Sequence, residues 1–138
     1  MTLGPRIGPG VAVGVDEAMI ERQVRAFYAR VREHPALGPV FNAAIDDWDE
    51  HLAKLCDFWS SVLLMTGRFK GSPMAAHARR PDIDGEHFPL WLDLFAETAR
   101  EICPPAVAAL FVEKATMIGR SLALGLAVSR GQIPPLRP

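Results

Sequence analysis

Behind Asp16 the apolar residues Ile20, Val24, Phe27 and Val31 recur at steps of four, three and four, which draws one stripe along an α-helix. Asp16 offers a side-chain acceptor to the first free backbone N–H groups, and Glu17 suits the positive end of the helix. His34 precedes Pro35, where a helix is expected to stop. The next stretch, PALGPVFNAA, carries Pro35, Gly38 and Pro39 and reads as a connection that buries Leu37, Val40 and Phe41. A second helix is predicted from Asp46 or Asp47 to Thr66, with Gly67 as its stop. Its stripe is Trp48, Leu52, Leu55, Trp59, Val62 and Thr66. Pro89 marks the first turn of a third helix, whose stripe is Phe88, Trp91, Phe95, Ala99 and Ile102. Cys103-Pro104-Pro105 ends it and opens a fourth helix to about Val128. That helix is apolar around most of its circumference and is expected to lie centrally. Strand-like alternation is nearly absent.

Between the second and third helices lies GRFKGSPMAAHARRP, residues 67–81, which resembles neither. Gly67, Gly71 and Pro73 break the chain, Met74 and two alanines allow one short turn, and that turn carries His77. Four long helices and one very short one make an all-α fold in a single domain over 15–128. Residues 1–14 are expected to be a flexible arm and 129–138 a mobile tail.

A chain of 138 residues with 49% hydrophobic residues and a net charge of −1 is large enough for one core. Its charge gives no reason to expect nucleic acid or a charged membrane surface as partner. The opening MTLGPRIGPGVAVGV is interrupted by Gly8, Pro9 and Gly10, unlike a signal peptide, and no run nears the roughly 18 apolar residues of a membrane span. A cytoplasmic location follows as the expectation. Two cysteines, Cys56 and Cys103, are too few for a disulfide scaffold.

Taken singly, the candidate residues are ordinary. His77 can be a surface histidine, His51 a helix-edge histidine, Tyr28 a packed tyrosine, and Trp59 and Trp91 core aromatics. Several chemistries are excluded by spacing. Paired Glu-x-x-His motifs, needed for a di-metal bundle, are missing: Val31, Trp48, Met74 and Asp84 stand three residues before the four histidines. The cysteines lack zinc-finger spacing, and no Cys-x-x-Cys-His offers covalent haem attachment. A Cys56–His77 nucleophile pair would lack thiolate stabilisation, since only Lys54 stands near Cys56 in sequence. What remains is a lone histidine facing an apolar all-helical pocket, the arrangement that holds haem without covalent attachment.

The chain also resembles the truncated haemoglobins, specifically those of group III, the P group. The resemblance runs through FYARVREHPALGPVF (27–41), WDEHL (48–52), FWSSVLLMTGRFKGSPMAAH (58–77) and FPLWLDLF (88–95), and covers roughly residues 15 to 128. It implies a two-over-two helical sandwich holding haem b. His77 matches the proximal histidine that binds the haem iron. Tyr28 and Trp91 match the distal pair that hydrogen-bonds the bound ligand, and His51 the distal histidine, as donor or gate. Leu55 and Phe58 match the apolar residues that follow it, and Phe41 the aromatic packed against the macrocycle. Lys54 is the candidate for one haem propionate, with Arg79 or Arg80 from the other side.

The activity so implied is binding of dioxygen, nitric oxide or carbon monoxide. Two hydrogen-bond donors favour slow release, which suits chemistry on the ligand: nitric oxide dioxygenation or peroxidase-like activation, with an external reductase supplying electrons. The competing reading is an oxygen or diatomic-gas binding or sensing protein without turnover. A third is a helical interaction module without cofactor.

Overall fold

A computed structural model describes residues 8–71 and 87–129, with side chains through Gly125. Among them are six helices and no strand: α1 (Pro9–Ala12), α2 (Glu17–Glu33), α3 (Leu37–Ala44), α4 (Trp48–Leu64), α5 (His87–Ile102) and α6 (Pro105–Ser129). The short helix expected around His77 lies outside the described residues.

The α2 stripe behaves as its spacing requires. Ile20, Val24, Phe27 and Val31 are fully buried, and the Asp16 carboxylate accepts the Met19 N–H at 2.9 Å. His34 ends α2 in extended backbone, and its Nδ1 accepts the N–H groups of Ala36 and Leu37 at 3.1 Å each. One imidazole thus closes α2 and caps the start of α3.

Helix α2 lies against α3, α4 and α5, while α5 packs most extensively on α6. The two layers are therefore α2 with α4 and α5 with α6, the two-over-two sandwich. Leu52, Trp59 and Leu63 of α4, Phe95 and Ala99 of α5, and Val107, Phe111 and Ala115 of α6 meet the α2 stripe in one core. Three polar side chains share it: Gln23, Ser60 and Thr98 are wholly buried. Gln23 Nε2 donates to the Phe95 carbonyl at 3.3 Å and Thr98 Oγ1 to the Leu94 carbonyl at 2.8 Å, which limits the desolvation cost.

Four expectations need correction. The 35–44 connection is mostly helix α3, because Pro39 falls in its first turn, where a backbone N–H has no helical partner. Helix α4 stops at Leu64, two residues early, since Met65 turns into the left-handed region at φ 57°. Only the first half of α6 is central: Met117 and Leu124 are 55% and 49% exposed. Within the 1–14 arm, residues 9–12 form a helical turn packed on α4. Gly8 and Gly10 permit that approach, because a Cβ on Gly8 would overlap the Leu63 carbonyl oxygen and one on Gly10 would stand 3.0 Å from it.

Candidate functional site

Tyr28 lies on the inner face of α2, 5% exposed, one residue from the fully buried Phe27. Phe27 packs edge-on against Tyr28, Trp91 and Phe95, with ring centroids 4.6, 5.6 and 4.9 Å away. On α5, Trp91 stacks on Phe95 at 5.4 Å and 13°, and Phe95 also stacks with Trp59 of α4 at 5.2 Å and 15°. These contacts fix the plane of the Trp91 indole. Its Nε1–H then donates to the Tyr28 hydroxyl at 3.4 Å, longer than the usual range and correspondingly weak.

The Tyr28 hydroxyl accepts from Trp91, and among the described residues no acceptor takes its own proton. Burial pushes its pKa up from 10.0 to about 12, partly opposed by the Trp91 hydrogen bond. The group is thus a neutral phenol at physiological pH. A buried O–H that no described residue accepts is available to donate a hydrogen bond.

Three further rings surround the hydroxyl-bearing ring. Phe41 of α3, Trp48 of α4 and His51 of α4 have centroids 6.0, 6.0 and 6.1 Å from Tyr28. His51 meets Tyr28 nearly perpendicularly and is half-buried. Farther along α4, Leu55 and Phe58 are half-buried apolar residues packed on the core. Lys54 faces solvent and pairs with Glu50 at 4.0 Å. The fold therefore gathers Tyr28, Trp91, His51 and Phe41 from four helices, while Lys54 stands at the surface. His77, Arg79 and Arg80 lie outside the described residues.

The chain leaving α4 toward position 77 is held tightly. Ser60 Oγ donates to Glu17 Oε2 at 2.8 Å and shares a 2.8 Å hydrogen bond with Thr66 Oγ1. Arg68 pairs with the same Glu17 oxygen at 3.1 Å, and Phe69 N–H donates to Ser61 Oγ at 2.8 Å. Burial raises both thiol pKa values, and nearby Glu21 raises that of Cys56 further, so the thiolate form is disfavoured at both. Open grooves beside Arg100, Cys103 and Glu113, and beside Ala29, Glu33 and Asn42, include none of Tyr28, His51 or Trp91.

Trp48 is a site residue that periodicity assigned only to the core stripe. Its ring touches Tyr28, His51 and the Arg32 guanidinium together. The one sequence signal was its step of three to His51, which places both on one helix face.

No protein-family model matches the chain. A group 3 truncated hemoglobin of Campylobacter jejuni is 33% identical over 108 residues, 75% of this chain and 85% of that protein. The crystal structure of a group III truncated hemoglobin from Campylobacter jejuni superposes with a TM-score of 0.76 at 33% identity, covering 81% of this chain and 91% of that one. The chain belongs to the group III truncated haemoglobins. Membership supports a globin that binds haem and diatomic ligands. No helix among the described residues of the globin is long and apolar enough to cross a membrane. The site accords with haem on an observation of its own: a neutral buried phenol, without an acceptor for its proton among the described residues, stands beside half-buried apolar side chains. A flat apolar ring bearing a small polar ligand can use both.

Proposed function

We propose that this globin uses haem b to hold a diatomic ligand against Tyr28 and Trp91, for chemistry on that ligand rather than for transport. The observation carrying this reading is the Tyr28 hydroxyl, buried, neutral and with a proton that no described residue accepts. Haem, when bound, supplies the iron that takes the diatomic ligand and exchanges electrons. His77 is the residue assigned to the iron, since it stands in the segment broken out of the long helices by Gly71 and Pro73. Phe41, Leu55 and Phe58 supply apolar contact to the ring, with Lys54 assigned to one of its carboxylates and Arg79 or Arg80 to the other. Tyr28 donates its O–H to the ligand, and the Trp91 indole N–H donates either to the phenol oxygen or to the ligand itself. The Tyr28 donor sits where water is scarce, so its hydrogen bond to a partly charged acceptor is stronger than in water. His51, half-buried, gates access or adds a third donor.

Slow ligand release favours a reaction over carriage. Nitric oxide dioxygenation fits: nitric oxide and dioxygen combine to nitrate when a reductase supplies one electron. Peroxidase-like activation of peroxide makes the same demand for an outside reductant. The testing experiment is an absorption spectrum of the purified protein after haem supplementation, followed by turnover with a reductase and nitric oxide under oxygen. A Soret band and nitrate formation are expected. The lack of a Soret band overturns the haem reading, and a Soret band without turnover leaves a gas-binding or sensing protein.

A further inference from the structure

Trp48 is the first residue of α4 and follows the extended Ile45 and the Asp47 cap. A residue at that place has no preceding helical turn to pack against, so a large half-buried indole there depends on contacts from other elements. Arg32 supplies one of them. It lies one turn beyond Tyr28 on α2, and its guanidinium carbon stands 4.8 Å from the centroid of the Trp48 ring. Among the described residues no carboxylate forms an ion pair with Arg32, so the ring is its partner. Helix α3 braces the backbone at this point. Asn42 Nδ2 donates to the Arg32 carbonyl at 3.2 Å, and Gly38 comes so close that a Cβ would stand 2.7 Å from the same oxygen.

Trp48 passes this restraint along α4. Its ring lies 5.9 Å from that of His51 at 87°, and the His51 ring meets Tyr28 at 6.1 Å and 86°. We propose that Arg32 and Trp48 form a positioning pair that holds His51 in its inner position against Tyr28 and thereby sets how often the path to the Tyr28 hydroxyl opens. The inference rests on the ligand-binding reading above and assigns the control of entry to an exposed arginine and the indole beneath it. Both act through His51.

The test is carbon monoxide association by flash photolysis on the haem-loaded protein. An exposed cation over an aromatic ring is a small restraint, so Arg32→Ala is expected to raise the association rate about two- to fivefold. Arg32→Lys keeps a cation for the ring and should give a smaller rise. Release should quicken alongside association, because a gate acts on both directions and leaves equilibrium affinity nearly unchanged. The deciding measurement is the cycle with His51→Ala, in which Arg32→Ala should add nothing further. The Trp48 indole N–H resonance, read by nitrogen-resolved NMR, should exchange faster with solvent in Arg32→Ala while those of Trp59 and Trp91 hold. An unchanged association rate in Arg32→Ala, with His51→Ala still altering entry, overturns the positioning pair and leaves the gate. An equal acceleration with and without His51 also overturns it. No effect of His51→Ala removes the gate itself, and the pair with it.

Discussion

Removing one oxygen atom tests the distal assignment most directly. Tyr28→Phe keeps the ring and its edge contact with Phe27 at 4.6 Å, so packing is preserved. Two polar interactions change. The Trp91 indole loses a 3.4 Å hydrogen bond, which is long and contributes at the low end of about 0.5–1.5 kcal/mol. The bound ligand loses a donor whose acceptor is partly charged, at about 1–3 kcal/mol. That range corresponds to a rise of about fivefold to about 150-fold in the oxygen dissociation rate. The freed Trp91 N–H can turn to the ligand, which pulls the outcome toward the lower end. Carbon monoxide is a much poorer acceptor, so its release should change far less. The assay is stopped-flow displacement of each gas from wild type and variant. Thermal unfolding should stay within roughly 1 kcal/mol, since the deleted group was a buried hydroxyl with no acceptor among the described residues. Equal acceleration of both gases would show a steric cause and refute the donor role. No change in either would leave Tyr28 a packed core tyrosine.

Three further outcomes follow from the same structure. His77→Ala should lose normal haem retention and regain a ligated spectrum with added imidazole; a wild-type spectrum in the variant would place the proximal ligand elsewhere, His87 being the next histidine along the chain. Tyr28 is the single tyrosine, so phenolate absorbance should titrate near pH 12 in the folded protein and near 10.0 once denatured. Because the folded pKa is the higher, the associated stabilisation is complete below pH 10 and is lost between about 10 and 12, by roughly 2–3 kcal/mol, a loss that Tyr28→Phe removes. Gly8→Ala should lift the α1 turn from the Leu63 carbonyl and lower stability by about 1–3 kcal/mol in urea unfolding; an unchanged midpoint would mean that the turn contributes nothing.

The chain by itself determined what short-range periodicity encodes. The stripe of Ile20, Val24, Phe27 and Val31, the Asp16 cap, the break at His34-Pro35 and the Pro104-Pro105 junction all read through, because each depends on neighbours within a turn. Residue blocks in family order carried the site one step further, to Tyr28, His51 and Trp91. Local signals also misled. Gly38 and Pro39 read as breakers, yet proline suits a helix's first turn and glycine admits the Arg32 carbonyl. Gly8 and Gly10 read as flexibility, yet their missing side chains let one segment dock on α4. Tertiary structure alone decided the rest. Positions 28 and 91 stand 63 residues apart and meet only because α2 crosses α5. Arg32 could have been any solvated arginine until Trp48 arrived beneath it. Gln23 sits on the buried stripe because the Phe95 carbonyl is there to accept its proton. Helical periodicity records which face turns inward; the partner waiting on that face is set by the packing of distant helices, and the chemistry of this site depends on that partner.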